Sequence, residues 1–542
     1  MTLKPCDVTI IMPPMWHVRE PWTAPAYIVE ALRTKGHTVQ FLDYNVRLYR
    51  LCERLGLEHL WTEGLFFEAW SGGRMNYLAE IPDMDEIQGS VVGISVTQTS
   101  LSVGIALAER IRARFPNRKI IMGGHALFFP QEVECVPPAA VDAICKGEGE
   151  GTIIEVMERG FNNLDDVRGL YLPRDGGWRL TSERPLEQHL DNLAWPRFEG
   201  IDLEQYGKRF LPLMGARGCV GRCVYCQDRY RTPGFRVRSA QNQVDELEYL
   251  SQRFRVEHFP YNEPLMNGSV KVLSEKADEI LRRNLKVRFG GNMMVRPDMP
   301  TELFQRLGRA GMTVALIGVE SGSEVVLKGM RKRHSPEMAE RFLQDCHNAG
   351  IKTEINILLG FPTETEEEFL KTCDFVRRNA PSIDAIISIT SLLVYPSDLY
   401  DAMDQYGITM RHKRDYGDWT AKEGGNTPLI RQERVRRFRE LCGELGLLED
   451  HVMGWDLSKP PSVPRVSKFI EMFESCFLCP TAGGNGERSF FESAASRLRK
   501  RASLYDTVTV SQLAGKALKN FKYYGLSKSL KRGVEWWKLR RG

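Results

Sequence analysis

GARGCVGRCVYC, residues 215–226, is the stretch from which the rest of the sequence is best read. Its cysteines, Cys219, Cys223 and Cys226, are spaced C-x3-C-x2-C, and three thiolates on one short loop hold three irons of a cubane cluster. Neither a cysteine nor a histidine occurs in the next thirty residues. One iron of a [4Fe–4S] cluster would therefore keep an open coordination position. A zinc knuckle, the competing use of such a loop, needs a fourth protein ligand that this segment lacks.

The motif follows an apolar run, 210–214, that reads as a strand. That puts the cysteines on a loop at a strand's carboxyl end, where barrel enzymes keep their chemistry. Strand-like runs recur at 258–261, 287–290, 313–318, 354–359 and 386–393, separated by segments of helical periodicity. Residues 206–405 thus read as a partial (β/α)6 barrel. Upstream, runs at 8–12, 38–42, 90–95, 119–122 and 141–145 alternate with helical patterns at 27–35 and 103–115. Residues 1–165 accordingly read as an α/β doubly wound, Rossmann-like domain, whose ligands belong at the strand ends. Residues 166–205, with an Asp175-Gly176-Gly177 turn and several prolines, read as a hairpin and linker. Residues 406–542 form a helical C-terminal region with one long helix over 430–445.

Composition narrows the class. A chain of 542 residues, 42% hydrophobic and 27% charged, is a multidomain globular protein, and its net charge of +4 gives no reason to expect nucleic acid. It has no apolar run of membrane-spanning length. The short apolar run 8–14 ends in two prolines and lacks the features of a signal peptide, so a cytoplasmic location is expected. Twelve cysteines in that compartment favour metal or redox chemistry over disulfides. Cys476 and Cys479 form an isolated C-x2-C pair that completes no site by itself. The tail 520–541 interleaves Lys and Arg with Phe521, Tyr523, Tyr524, Trp536 and Trp537. It reads as a peripheral contact with an anionic membrane surface, a grip on an acidic substrate, or a helix packed on the barrel.

Over residues 5–405 these features resemble the radical S-adenosylmethionine (SAM) superfamily, in particular its cobalamin (B12)-dependent branch with methyltransferase architecture. The cysteine motif is similar to that family's signature, including the aromatic Tyr225 before the third cysteine. The resemblance implies that the open iron binds the amino and carboxylate groups of SAM, which reduction cleaves to a 5′-deoxyadenosyl radical. It places Asn262 and Glu263 at the SAM amino group. Glu320 and Ser321, in IGVESGS (317–323), would contact its ribose or methionyl part. Gly360 and Pro362, in LLGFPTET (358–365), would let backbone approach the adenine, and Tyr395 closes the sixth strand.

Residues 1–165 resemble the cobalamin-binding domain of that branch through GISVTQTS (93–100), IIMGGH (120–125) and KGEGE (146–150). Ser95, Thr97 and Gln98 would offer polar groups to the cofactor. Gly123 and Gly124 would let backbone lie along its tail, and Gly147, Glu148 and Gly149 would form a polar turn beside it. The sequence lacks the Asp-x-His-x-x-Gly motif whose histidine ligates cobalt, and residues 15–19 are the candidate cover for that face. The implied activity is methylation of an unactivated carbon or phosphorus centre of a small-molecule, lipid or peptide substrate, served by an electron donor such as flavodoxin or ferredoxin. Two other outcomes fit the same motifs. One is a cobalamin-dependent rearrangement or cyclisation without methyl transfer. The other is a tRNA methylthiotransferase-like activity, which needs a second cluster on three N-terminal cysteines. Cys6, Cys52, Cys135 and Cys145 are available, although Cys6 precedes the first strand.

Overall fold

A computed structural model describes residues 5–448 apart from 15, 55–83, 207–208, 411–415 and 422–425. The Cys476/Cys479 pair and the tail 520–541 lie outside the described residues.

Strands β1 (Cys6–Met12), β2 (Val39–Asp43), β3 (Gly89–Ser95), β4 (Lys119–Gly123) and β5 (Ala143–Cys145) form a parallel sheet in the order β2-β1-β3-β4-β5. Both faces are covered. Val8 and Ile10 pack with Val29 and Leu32 of helix Thr23–Thr34 and with Ile153 of helix Glu150–Glu158. Ile11, Val92 and Ile94 pack on the other side with Leu107 and Ile111 of helix Leu101–Arg114. The chain leaves β1 for β2 on one side and β3 on the other, which makes the carboxyl ends of β1 and β3 the topological switch point.

The hairpin expected within the linker belongs to this sheet. Strands β6 (Leu170–Arg174) and β7 (Gly177–Leu180) extend it beyond β5 in antiparallel pairing. Asp175 and Gly176 turn the hairpin with φ of 47° and 78°, the left-handed pair that a two-residue connection between twisted strands requires.

Strands β8 (Ala216–Arg217) and β9 (Arg236–Val237) are the short antiparallel legs that flank the cysteine loop. The second large sheet is parallel and sequential: β10 (His258–Tyr261), β11 (Arg288–Met293), β12 (Met312–Glu320), β13 (Lys352–Leu359) and β14 (Ala385–Ser391). The expected first strand, 210–214, joins it beside β10 through two parallel bridges, Phe210 to His258 and Leu213 to Tyr261. Six segments in this order make the partial barrel. Ala315, Ile317 and Val319 of β12 and Ile355, Ile357 and Leu359 of β13 alternate into the core beneath the helices, while residues between them are less buried. Ser239, Ser269, Ser323, Ser335 and Thr365 cap the helices that follow, each accepting a backbone N–H three residues on. The long C-terminal helix runs Pro428–Glu444 and lies against β13 and β14. Among the described residues no helix is long and apolar enough to cross a membrane.

The Gly123-Gly124 pair is held by the sheet itself. A side chain at Gly124, where φ is 121°, would put its Cβ 2.2 Å from the Val96 carbonyl oxygen, and one at Gly123 would press on Cys145 of β5 at 3.3 Å. The sheet by itself requires glycine at 124, where Val96 backbone crowds the position, and favours it at 123, where the Cys145 side chain does. Gly124→Ala should therefore destabilise the cofactor-free protein by roughly 1–3 kcal/mol, the cost of a forced backbone conformation. Gly147→Ala, with nothing within 4 Å of its Cβ, should cost less. Denaturant midpoints of the two apo variants check this, and equal midpoints would contradict it.

Candidate functional site

The cysteine loop leaves β8 at Gly218, whose φ of 76° and close approach to the Gly234 carbonyl (2.1 Å from an added Cβ) leave no room for a side chain. Cys219, Cys223 and Cys226 are unpaired and partly buried. A Cβ on Gly221 would lie 3.3 Å from the Cys219 Sγ and 3.9 Å from that of Cys223, so both sulfurs converge on this glycine. The Gly221 N–H donates to the Cys219 Sγ at 3.2 Å. Burial, with neighbouring anions adding to it, pushes the Cys226 thiol up to about 12 and also raises that of Cys219. Thiols so placed become ligands once a cation offsets the desolvation. Among the described residues no three His, Cys, Asp or Glu side chains are gathered closely enough for one metal ion.

Beside the loop, burial and the nearby Glu320 carboxylate hold the Tyr225 hydroxyl well above its ordinary range. Glu320 ends β12 in a left-handed conformation (φ 67°) and accepts from the Lys332 Nζ at 3.1 Å. Lys332 also donates to the Gly318 carbonyl at 3.1 Å, and the Glu320 and cysteine charges around it hold its ammonium above the ordinary range despite burial. Sequence reasoning missed Lys332. It sits in GMRKRH (329–334), a basic run of the kind that usually marks a solvated face.

Other expected contacts are engaged elsewhere. The buried Glu263 carboxylate accepts the backbone N–H of Gly215 and of Ala216, the latter at 2.8 Å, so it anchors the entry to the cysteine loop. Burial pushes its carboxyl up to about 7, opposed chiefly by the Lys276 ammonium. Asn262 reaches out of the barrel to Glu20 and, at 3.4 Å, to Thr23 Oγ1 in the N-terminal domain. Ser321 is buried against Thr372, its Oγ 3.0 Å from that hydroxyl, and accepts the Ser323 N–H. At Gly360 a Cβ would meet Arg431 at 2.3 Å, so that glycine makes room for the C-terminal helix. Its N–H donates to Glu364, while Pro362 follows in the same loop and Tyr395 stacks obliquely on Tyr416.

In the N-terminal domain, Thr97 is spent on its own turn with Thr99 and Ser100, while Ser95 is half-buried and Gln98 exposed at the end of β3. Gly147 faces open space, but Gly149 lies under Ile28, and Glu148 is ion-paired with Arg217 and Arg236. Past β1, the rings of Trp16, His17 and Trp22 cluster with centroids 4.5–5.9 Å apart. Burial pushes His17 down to about 3, and its Nδ1 is buried without a hydrogen-bond partner. The loops that end β1, β4 and β5 therefore all meet the carboxyl-end loops of the barrel, with the cysteines between.

Residues 214–376 match the Radical SAM superfamily. The chain carries a radical SAM domain. Beyond that domain, it is similar to an uncharacterized methyltransferase of Pyrococcus horikoshii, 23% identical over 295 residues that cover 53% of this chain and 64% of that protein. It is also similar to the anaerobic magnesium-protoporphyrin IX monomethyl ester cyclase of Rubrivivax gelatinosus, 27% identical over 52% of this chain and 53% of the cyclase. The matches thus span about half to two thirds of these relatives. In fold it is similar to the radical SAM methyltransferase TsrM from Kitasatospora setae, solved with cobalamin and a [4Fe–4S] cluster, with a TM-score of 0.61 and 17% identity, covering 92% of this chain and 100% of that one. The cobalamin-dependent radical enzyme OxsB, solved with aqua-cobalamin and SAM, gives 0.54 and 16%, covering 99% and 76%. Both likenesses extend the shared fold from the radical SAM domain to the N-terminal sheet.

Replacing Cys219, Cys223 and Cys226 together by Ala should lower iron from about four per chain towards zero and abolish reductive SAM cleavage. Cys346→Ala, in a buried helix far from the loop in sequence, should leave both unchanged. Iron analysis and 5′-deoxyadenosine release under anaerobic conditions check this, and full iron with SAM cleavage in the triple variant contradicts it.

Proposed function

We propose that this protein is a cobalamin-dependent radical SAM methyltransferase acting on an unactivated carbon or phosphorus centre of a small molecule, lipid or peptide. The observation that carries the reading is the meeting of two parallel-sheet carboxyl edges around the cysteine loop. Bound there, the [4Fe–4S] cluster and SAM supply a hydrogen-abstracting radical, and the corrinoid supplies a methyl carrier.

The residues fit these groups. Cys219, Cys223 and Cys226 would hold three irons, and Gly221 keeps two of the sulfurs clear of any side chain. Lys332 and Glu320 put an ammonium and a carboxylate beside the cysteines, a charge pair complementary to the carboxylate and ammonium of an amino-acid end. Lys332 holds the Glu320 carboxylate in place. Glu263 fixes the backbone entering the loop. At the N-terminal edge, Ser95, Gln98 and the open space at Gly147 leave the switch point accessible to a corrinoid. The packed Trp16, His17 and Trp22 rings would wall the interdomain space against water. Thiolate ligation calls for a reducing compartment, and we place the protein in the cytosol with flavodoxin or ferredoxin as electron donor.

Rearrangement or cyclisation without methyl transfer is the second reading, favoured by the likeness to the anaerobic cyclase. A methylthiotransferase-like reading is weakened by Cys6, which begins β1 at the end of the sheet opposite the site. Anaerobic incubation with corrinoid, reductant and cell-extract small molecules separates the first two. Release of both 5′-deoxyadenosine and S-adenosylhomocysteine supports methyl transfer, and 5′-deoxyadenosine alone supports rearrangement.

The reading also predicts the state of the cobalt. His17 has its Nδ1 buried and its Nε2 facing Glu20 at 3.8 Å. His125 is half exposed beside Asp228, also at 3.8 Å. Neither sits in a ligating motif, so the Co(II) form should give a base-off electron paramagnetic resonance (EPR) spectrum without nitrogen splitting. A triplet splitting lost in His17→Ala or His125→Ala would contradict it.

A further inference from the structure

We infer that Glu148, Glu150 and Glu132 of the N-terminal domain are positioning residues for the cysteine loop, acting through the three arginines that flank it. Arg217 is the last residue of β8 and Arg236 the first of β9, and the two are cross-strand partners at the base of the loop. Their guanidinium groups would repel across so short a hairpin. Glu148 lies between them. It takes Arg217 at 3.0 Å and Arg236 in a two-pronged contact at 2.7 and 3.1 Å, while Glu150 takes the other arm of Arg217 at 2.5 Å. Arg236 also donates to the Glu187 carbonyl at 2.9 Å.

The third anchor lies past the last cysteine. Arg231, at the end of the short helix Asp228–Arg231, forks onto Glu132 at 2.6 and 3.3 Å, donates to the His125 carbonyl and lies over the Phe129 ring. All three arginines are buried, with side chains 8%, 5% and 1% exposed for Arg217, Arg236 and Arg231. Glu132 stands on the short helix Pro130–Val133 after β4, Glu148 on the turn after β5, and Glu150 at the start of the helix that follows it.

Surface ion pairs hold little, but buried two-pronged arginine–carboxylate pairs fix geometry, because losing one partner strands the other charge away from water. Barrel contacts hold the loop at Gly215 and Ala216 through Glu263. The N-terminal domain holds both legs and the helix beyond. The cysteines are therefore placed by two domains, and any shift of one domain against the other is carried directly into the cluster loop. This assigns the KGEGE segment (146–150) a role in loop placement, and it rests on the radical SAM domain alone, not on the corrinoid.

The test uses the reconstituted full chain with Glu148→Gln, which keeps the shape and removes the charge between the two arginines. Glu183→Gln is the control, since Glu183 pairs with Lys146 of the same turn at an exposed position. The expected result for Glu148→Gln is full iron content, at least tenfold faster amide hydrogen exchange over 216–237, and at least tenfold weaker SAM binding read from the shift of the reduced-cluster EPR signal. The control should match wild type in all three. A lowered thermal midpoint with unaltered loop exchange and SAM response would show simple domain adhesion and overturn the inference. Should Glu148→Gln not fold, exchange in the cluster-free wild type decides. Amides of 216–217 and 236–237 protected like those of β12 support the inference, and exchange at the rate of open loops overturns it. Failure to take up a corrinoid would sink the methyl-transfer reading and leave these readouts untouched.

Discussion

Two sheets with parallel strands meet at their carboxyl ends in this molecule, and buried ion pairs bridge them. Arg217, Arg236 and Arg231 reach from the cysteine loop to Glu148, Glu150 and Glu132. Charges removed from water are costly unless paired, so the two halves tolerate few relative placements. An apolar contact of the same size would slide more freely. The loops at the carboxyl ends of both sheets are thereby held together beside the cysteines.

A second buried network holds the barrel side of that contact. Arg238 donates to the Met214 carbonyl at 3.0 Å and pairs with Glu246, and it approaches the Tyr27 hydroxyl at 3.4 Å. Lys276 lies over the Tyr261 ring at 3.8 Å and is coupled electrostatically to Glu263, which holds the amides of Gly215 and Ala216. The network runs from helix Thr23–Thr34 of one domain to the strand before the cysteines in the other. Low dielectric strengthens such bonds, and here Arg238 and Glu263 hold the backbone at the start of the loop, while the Glu246 Oε1 and the Tyr261 hydroxyl stay buried without a hydrogen-bond partner.

Much of this was legible in the sequence. The cysteine spacing named the cluster site, because three thiolates after a strand have few other uses. The alternating strand and helix periods gave both parallel sheets, because apolar runs of strand length recur between amphipathic segments. What the sequence hid was partnership. Glycines and acidic residues at strand ends look alike whether they face a ligand or another domain. No local pattern shows that Glu148 pairs with arginines far along the chain, or that Gly360 lies against Arg431. Ser321 and Glu263, expected at SAM, also bond to Thr372 and to the Ala216 amide. Lys332 was missed because a lysine among basic neighbours carries no mark of burial. The Asp175-Gly176 turn was read correctly, but strand pairing with β5 depends on tertiary contacts that no local pattern contains.

We propose that the two edges face a single space that would hold both redox groups. The most direct measurement is the EPR spectrum of anaerobic protein carrying a Co(II) corrinoid and a reduced cluster, set against the two singly loaded forms. A shared space predicts that each signal is broadened or split by the other spin. A spectrum equal to the sum of the two singly loaded forms would contradict it.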